Sequence, residues 1–159
     1  MRFITITFFI IYLVVLAKLV IFKGPVFFEV VGGTEEYKNK TANSSYTGIN
    51  LIPFKTIRQF ANTHPSTSTS VKFFNLAGNV LLFIPFGFLL PLVFKRLDRL
   101  RFVFFASILL SLFFETYQLI TRTGQFDIDD LILNSLGGVI GYMLLQLISR
   151  RYRLRTANA

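Results

Sequence analysis

The side chains best suited to chemistry crowd one stretch of an otherwise apolar chain, Glu115 to Asn134, ETYQLITRTGQFDIDDLILN. The apolar run SILLSLFF leads into it and LILNSLGGVIGYMLLQLI leads out. A carboxylate in an apolar segment is costly, so it calls for a partner or a purpose. Glu115 offers a carboxyl for acid–base work, but no His or Cys stands near it. No Ser in this stretch has an adjacent base in sequence to activate it as a nucleophile. Asp127, Asp129 and Asp130 offer oxygen ligands to Mg²⁺ or Ca²⁺, yet their spacing lacks the glycine and the later glutamate of an EF-hand. No metal and no cofactor are therefore expected. Asp129 and Asp130 suit instead the N-terminus of a helix, where negative charge is favoured.

Those residues need elements to hold them, and composition says which. The chain of 159 residues is 53% hydrophobic, with 20 Phe and neither Trp nor Cys. Its mean hydropathy is +0.58, above what an ordinary soluble domain shows. Without Cys there is no disulfide, thiolate metal site or Cys nucleophile. The formal net charge of +9 raises the question of nucleic acid. The bases flank apolar runs and form no aromatic-interleaved patch, so a nucleic-acid partner is not expected. Four apolar segments, about residues 3–22, 72–94, 102–120 and 130–148, are each long enough as helices to cross a ~30 Å hydrocarbon core. The expected fold class is all-α, a polytopic membrane helix bundle forming one domain over residues 1–159.

The first run is longer than a signal-peptide core and is followed by no small-x-small site, so it reads as a retained anchor. The polar segment 23–71 reads as one long loop, with VGGTEEYKNKTANSSYTG and NTHPSTSTS rich in turn residues. Within it INLIPFKTIRQF is too short to span. It reads as an interfacial stretch with Ile52, Phe54 and Ile57 inward and Lys55 and Arg58 outward. The Asn39 and Asn43 glycosylation patterns read as chance, and the sole histidine, His64, as solvated. In the second span Pro85 removes a donor and frees the Leu81 carbonyl, which a neighbouring helix must satisfy.

Charge sets the orientation. Lys95, Arg96, Arg99 and Arg101 lie between spans two and three, and Arg150, Arg151, Arg153 and Arg155 follow span four. Under the positive-inside rule those segments are cytoplasmic. Both termini are then cytoplasmic, the long loop is extracytoplasmic, and the 121–129 hairpin faces outward. At helical rise, Asn79 and Glu115 lie ~6 Å outward of their span centres and Asn134 ~7.5 Å. Glu115, Gln118 and Arg122 fall at i, i+3 and i+7, as do Asp127, Asp130 and Asn134, so each set lines one face. Gly137, Gly138 and Gly141 continue the second stripe and permit close helix packing. Arg122 is placed to bridge Glu115 with Asp127 or Asp130.

The seven residues Asn79, Glu115, Gln118, Arg122, Asp127, Asp130 and Asn134 thus form a candidate outward polar pocket. Two readings remain open at this point. One is a polar lock, in which Arg122 neutralises the acids and the amides fill the remaining bonds. The other is a site for a polar headgroup or a cation.

The motifs NLIPF (Asn50 to Phe54), NLAGNVLLFIPFGFLLP (Asn75 to Pro91) and ETYQLITRTGQFDIDDLILNSLGGVIGY (Glu115 to Tyr142) resemble those of the VanZ-like membrane proteins. That family pairs an N…FIPFG segment with an E-x-x-Q…R…D-x-x-D-x-x-x-N-x-x-G segment. Asn79, Pro85, Gly87, Glu115, Gln118, Arg122, Asp127, Asp130, Asn134 and Gly137 or Gly138 match it. The resemblance implies a multi-pass protein of the bacterial plasma (inner) membrane, similar to the accessory protein of glycopeptide-resistance clusters that lowers susceptibility to teicoplanin. It implies no established reaction. Membrane lipids, a lipid-linked precursor or a glycopeptide are the expected partners. An intramembrane lipid-modifying enzyme using Glu115, and a small transporter or scaffold subunit, are the alternatives. Oligomeric state is not legible.

Overall fold

A computed structural model describes residues 2–21, 48–61 and 67–157. His64, Asn39, Asn43 and most of the polar loop lie outside the described residues. The elements run α1 (Arg2–Ile21), β1 (Ile49–Asn50), α2 (Lys55–Ala61), α3 (Thr67–Val93), a 3-10 turn (Lys95–Leu97), α4 (Leu100–Thr121), β2 (Phe126–Asp127) and α5 (Ile128–Ala157). Within them Phe3–Ile21, Leu76–Val93, Leu100–Thr121 and Ile128–Arg150 are long and apolar enough to cross a membrane. The molecule is an all-α bundle with four candidate spans, as the apolar runs predict.

The bundle is built around α3 and α5, which approach so closely that side chains are excluded between them. A Cβ on Gly87 would run into the Gly138 carbonyl, one on Gly137 into the Val80 carbonyl, and one on Gly141 into the Ile84 carbonyl. The expected small-residue stripe on α5 therefore meets α3 backbone, and α3 answers with a glycine of its own. Helix α4 packs against the same strip, with the Ser107 hydroxyl lying where a Gly138 side chain would be.

Helix α1 is apolar on all sides, as a lipid-exposed span is expected to be. Only Phe9, Leu16 and Val20 are buried, a single stripe, while Phe3, Phe8, Ile11 and Val14 remain exposed. Phe9 stacks on Phe86, with ring centroids 6.1 Å apart, and Phe83 meets Phe86 edge-on at 5.9 Å. Offset and edge-on rings add to what area burial alone supplies. Helix α3 continues through both Pro85 and Pro91. A neighbouring helix does supply a donor, the Tyr12 hydroxyl at 2.6 Å, but to the Leu82 carbonyl and not to Leu81.

The hairpin end is closed by three local devices. Arg122 ends α4 in a left-handed conformation, φ 56 and ψ 29. Its N–H reaches the Leu119 carbonyl at 3.4 Å while Thr123 N–H donates to Gln118 at 3.1 Å, the paired pattern of a Schellman cap. Asp127 then starts α5, its Oδ1 accepting the Asp129 N–H at 2.9 Å, as an N-cap does. Finally β1 and β2 pair in parallel, Ile49 opposite Phe126 and Asn50 opposite Asp127. That bridge brings the NLIPF segment onto the hairpin across more than seventy residues of sequence.

Candidate functional site

The carboxylates of the hairpin point in different directions, and each has its own donors. Asp129 is fully buried. Its Oδ1 accepts the Phe54 N–H at 2.5 Å. Its Oδ2 accepts Thr56 N–H at 2.8 Å and Ile57 N–H at 3.3 Å. These amides are the unpaired donors at the start of α2, so Asp129 caps a helix other than its own. Asp129 stands in the first turn of α5, as expected, and its hydrogen bonds go in addition to the start of α2. Phe54 sits at φ 63, a conformation costly for a bulky residue, at about 1–3 kcal/mol. The bond to Asp129 holds it there.

Asp127 accepts the Thr56 hydroxyl at 2.6 Å and the Asn50 amide at 3.0 Å. Its own N–H donates to Glu115 Oε2 at 3.0 Å. Glu115, 1% exposed, thereby reaches across from α4 to the turn that opens α5. Asp130 accepts from the Asn79 amide, joining α3 to α5. Asn79, Glu115, Asp127 and Asp130 are thus brought together at one end of the bundle. Asn50, Thr56 and Asp129 join them from outside the candidate set.

Asn134 lies one helical turn deeper than Asp130, about 6 Å along α5. Its amide donates to Ser111 Oγ at 2.8 Å. Its Oδ1 is buried and, among the described residues, has no hydrogen-bond partner. Such a group costs roughly 1–3 kcal/mol unless something fills it. Gln118 belongs to a different contact. Its amide donates to the Val20 carbonyl at 2.6 Å, satisfying one of the last carbonyls of α1. Gln118 therefore ties α1 to α4 and is not free to line a pocket.

Arg122 does not sit where the spacing puts it. The i+7 position holds only while the helix continues, and α4 stops at Thr121. The left-handed turn swings Arg122 off the Glu115 stripe into an exposed position. Among the described residues its guanidinium has no ion-pair partner, so it is not the charge centre of the buried acids. Among the described residues no group of three or more His, Cys, Asp or Glu is placed to hold a metal ion.

A family model described as VanZ/LLP1 matches residues 9–149, nearly the whole bundle and all of the polar cluster. The chain belongs to the VanZ/LLP1 family. It is also 39% identical over 101 residues to Protein VanZ of Enterococcus faecium. That alignment covers 63% of this chain and 61% of the relative, so the chain spans about three-fifths of the VanZ protein it matches. No solved structure matches it.

The polar residues that spacing alone missed fall into two groups. Ser107 and Ser111, both fully buried, precede Glu115 at i−8 and i−4. That stripe was visible in SILLSLFFE had hydroxyls been counted with amides and acids. Asn50 and Thr56 had only the NLIPF motif to mark them. Their partners are Asp127 of β2 and Asp129 at the start of α5, and nothing in local periodicity points across that distance.

Proposed function

We propose that this chain is a multi-pass protein of the bacterial plasma membrane that binds the polar headgroup of an envelope lipid, a lipid-linked precursor or a lipophilic glycopeptide at the hairpin end of its bundle. That end faces outward and both termini are cytoplasmic, since the bases gather beyond the other end. The observation that carries the reading is the contrast inside one cluster. Asn79, Asp127, Asp129 and Asp130 are engaged in bonds between elements, whereas Arg122 is exposed at the rim and, deeper in, the buried Asn134 Oδ1 has no hydrogen-bond partner among the described residues. An exposed guanidinium at the bilayer boundary suits a phosphate or carboxylate. The engaged acids give that position a rigid frame. Through such binding the protein would change the access of a drug like teicoplanin to the envelope, as its resemblance to VanZ suggests.

Glu115 accepts the Asp127 backbone N–H, a bond between α4 and the start of α5 that favours a positioning role over acid–base chemistry. The test is native mass spectrometry of the purified protein carrying its endogenous lipids. A defined anionic lipid or precursor retained by wild type and lost in Arg122→Gly supports the site. Identical lipid profiles for the two proteins refute it.

A further inference from the structure

We infer that the segment Ile49 to Phe54 is seated in the lipid leaflet, dipping its apolar side chains beneath the headgroups while Lys55 and Arg58 remain at phosphate level. Ile49, Leu51, Ile52 and Phe54 are 58–62% exposed, four large apolar side chains within six residues. Among the described residues the bundle does not cover them, which agrees with reading this stretch as interfacial. Their depth follows from what the segment is bonded to. Asp127 and Asp129 hold it by five hydrogen bonds, to Asn50, Phe54, Thr56 and Ile57. The apolar stretch of α5 begins at Ile128, between those two aspartates, and that of α4 ends at Thr121. The segment therefore lies within a side chain's reach of the level at which two spans enter the hydrocarbon.

A segment in bulk water at that height would expose the same four side chains at a cost that grows with area. An apolar tip followed by exposed bases is the arrangement of an interface-seated segment, and Lys55 and Arg58 are both exposed. The backbone supports the same occupant. Phe54 keeps an unfavourable left-handed conformation, and with it an exposed aromatic ring. The Asp129 bond holds that backbone, and lipid removes the exposed ring from water. A second copy of the chain is the poorer occupant, because pairing the two segments would bring Lys55 and Arg58 against their like charges. The inference does not depend on which ligand the polar cluster takes.

Because the chain contains neither Trp nor Cys, a single introduced reporter reads the depth directly. Leu51→Trp and Ile52→Trp are each reconstituted, in the full chain, into phosphatidylcholine–phosphatidylglycerol vesicles carrying bromine near the ester or near the chain end. Leu109→Trp, mid-span and exposed on α4, serves as the control for insertion. Blue-shifted emission that loses most of its intensity to bromine near the ester, with Leu109→Trp quenched mainly by bromine near the chain end, is the expected result. Red-shifted emission quenched by aqueous acrylamide overturns the inference, because the segment is then in water. Blue-shifted emission that neither quencher reaches also overturns it, because protein then covers the segment. Should a Trp variant fail to insert, a nitroxide on Ile52→Cys reports the same depth. Higher accessibility to oxygen than to a water-soluble nickel complex supports the seating, and the reverse order excludes it.

Discussion

Replacing Asp129 with Ala should release the NLIPF segment and leave the bundle standing. Its carboxylate accepts three backbone N–H groups, at 2.5, 2.8 and 3.3 Å, and is fully buried. Hydrogen bonds to a charged acceptor contribute about 1.5–3 kcal/mol each. The 3.3 Å bond is the weak member, so two good bonds set an upper bound near 6 kcal/mol. Phe54 and Lys55 are exposed, so water can rehydrate part of what the mutation strips. A net loss of about 2–4 kcal/mol remains, also because Phe54 then relaxes from φ 63. At about 1.4 kcal/mol per tenfold, that loss lowers protection of the Phe54, Thr56 and Ile57 amides roughly 30- to 700-fold. Hydrogen exchange with peptide-level mass spectrometry in nanodiscs reads this change. Peptides inside α5, beyond Asn134, should keep their wild-type rates, since Asp129 makes no bond there. Unchanged protection of the α2 amides in Asp129→Ala would refute the reasoning. So would equal loss across the whole bundle, which would make Asp129 a general stability residue and not a clamp.

Further outcomes follow from the packing. Gly141→Ala must displace α3 backbone, with Phe88 N already 2.9 Å from where the new Cβ would sit, and should lower stability in mixed-micelle unfolding by about 1–3 kcal/mol or more. Gly78→Ala meets nothing within 4 Å and should be neutral or stabilising by up to about 1 kcal/mol. Tyr12→Phe removes the 2.6 Å bond to Leu82 and should cost about 1 kcal/mol in the same assay. Gln118→Leu frees the last turn of α1 and should raise hydrogen exchange near Val20 while sparing α3 and α5.

How much of this was legible in the sequence depends on how local each interaction is. The spans were readable because twenty-odd apolar residues carry the signal by themselves. The glycine stripe was readable because helical periodicity holds throughout α5. Depth, a count of residues along each span, put Asn79 and Glu115 level with Asn134, whereas Asn79 bonds Asp130, one turn nearer the hairpin, and Asn134 bonds Ser111. Arg122 was misplaced for a definite reason. Its i+7 relation to Glu115 assumed one more turn of helix, and a left-handed cap one residue after Thr121 sends the side chain elsewhere. Asp129 lies in the first turn of α5 as its position implied, but the amides that its carboxylate bonds belong to the start of α2, some seventy residues earlier, and no local pattern points to them. Gln118 had the right face and depth, but its partner is the end of α1. No pattern within α4 distinguishes a tie to another helix from a pocket wall.

The most direct test of an outward binding site at this cluster is glycopeptide susceptibility in a deletion strain. It is complemented at equal membrane levels by wild type, Arg122→Gly and Glu115→Gln. Arg122→Gly removes the guanidinium from a position whose φ of 56 glycine accepts freely, so the fold is preserved while the rim charge is lost. The expected result is reduced teicoplanin susceptibility with wild type and with neither variant, all three proteins remaining inserted. Full protection by both variants would contradict a binding site here and leave the cluster as a lock between helices.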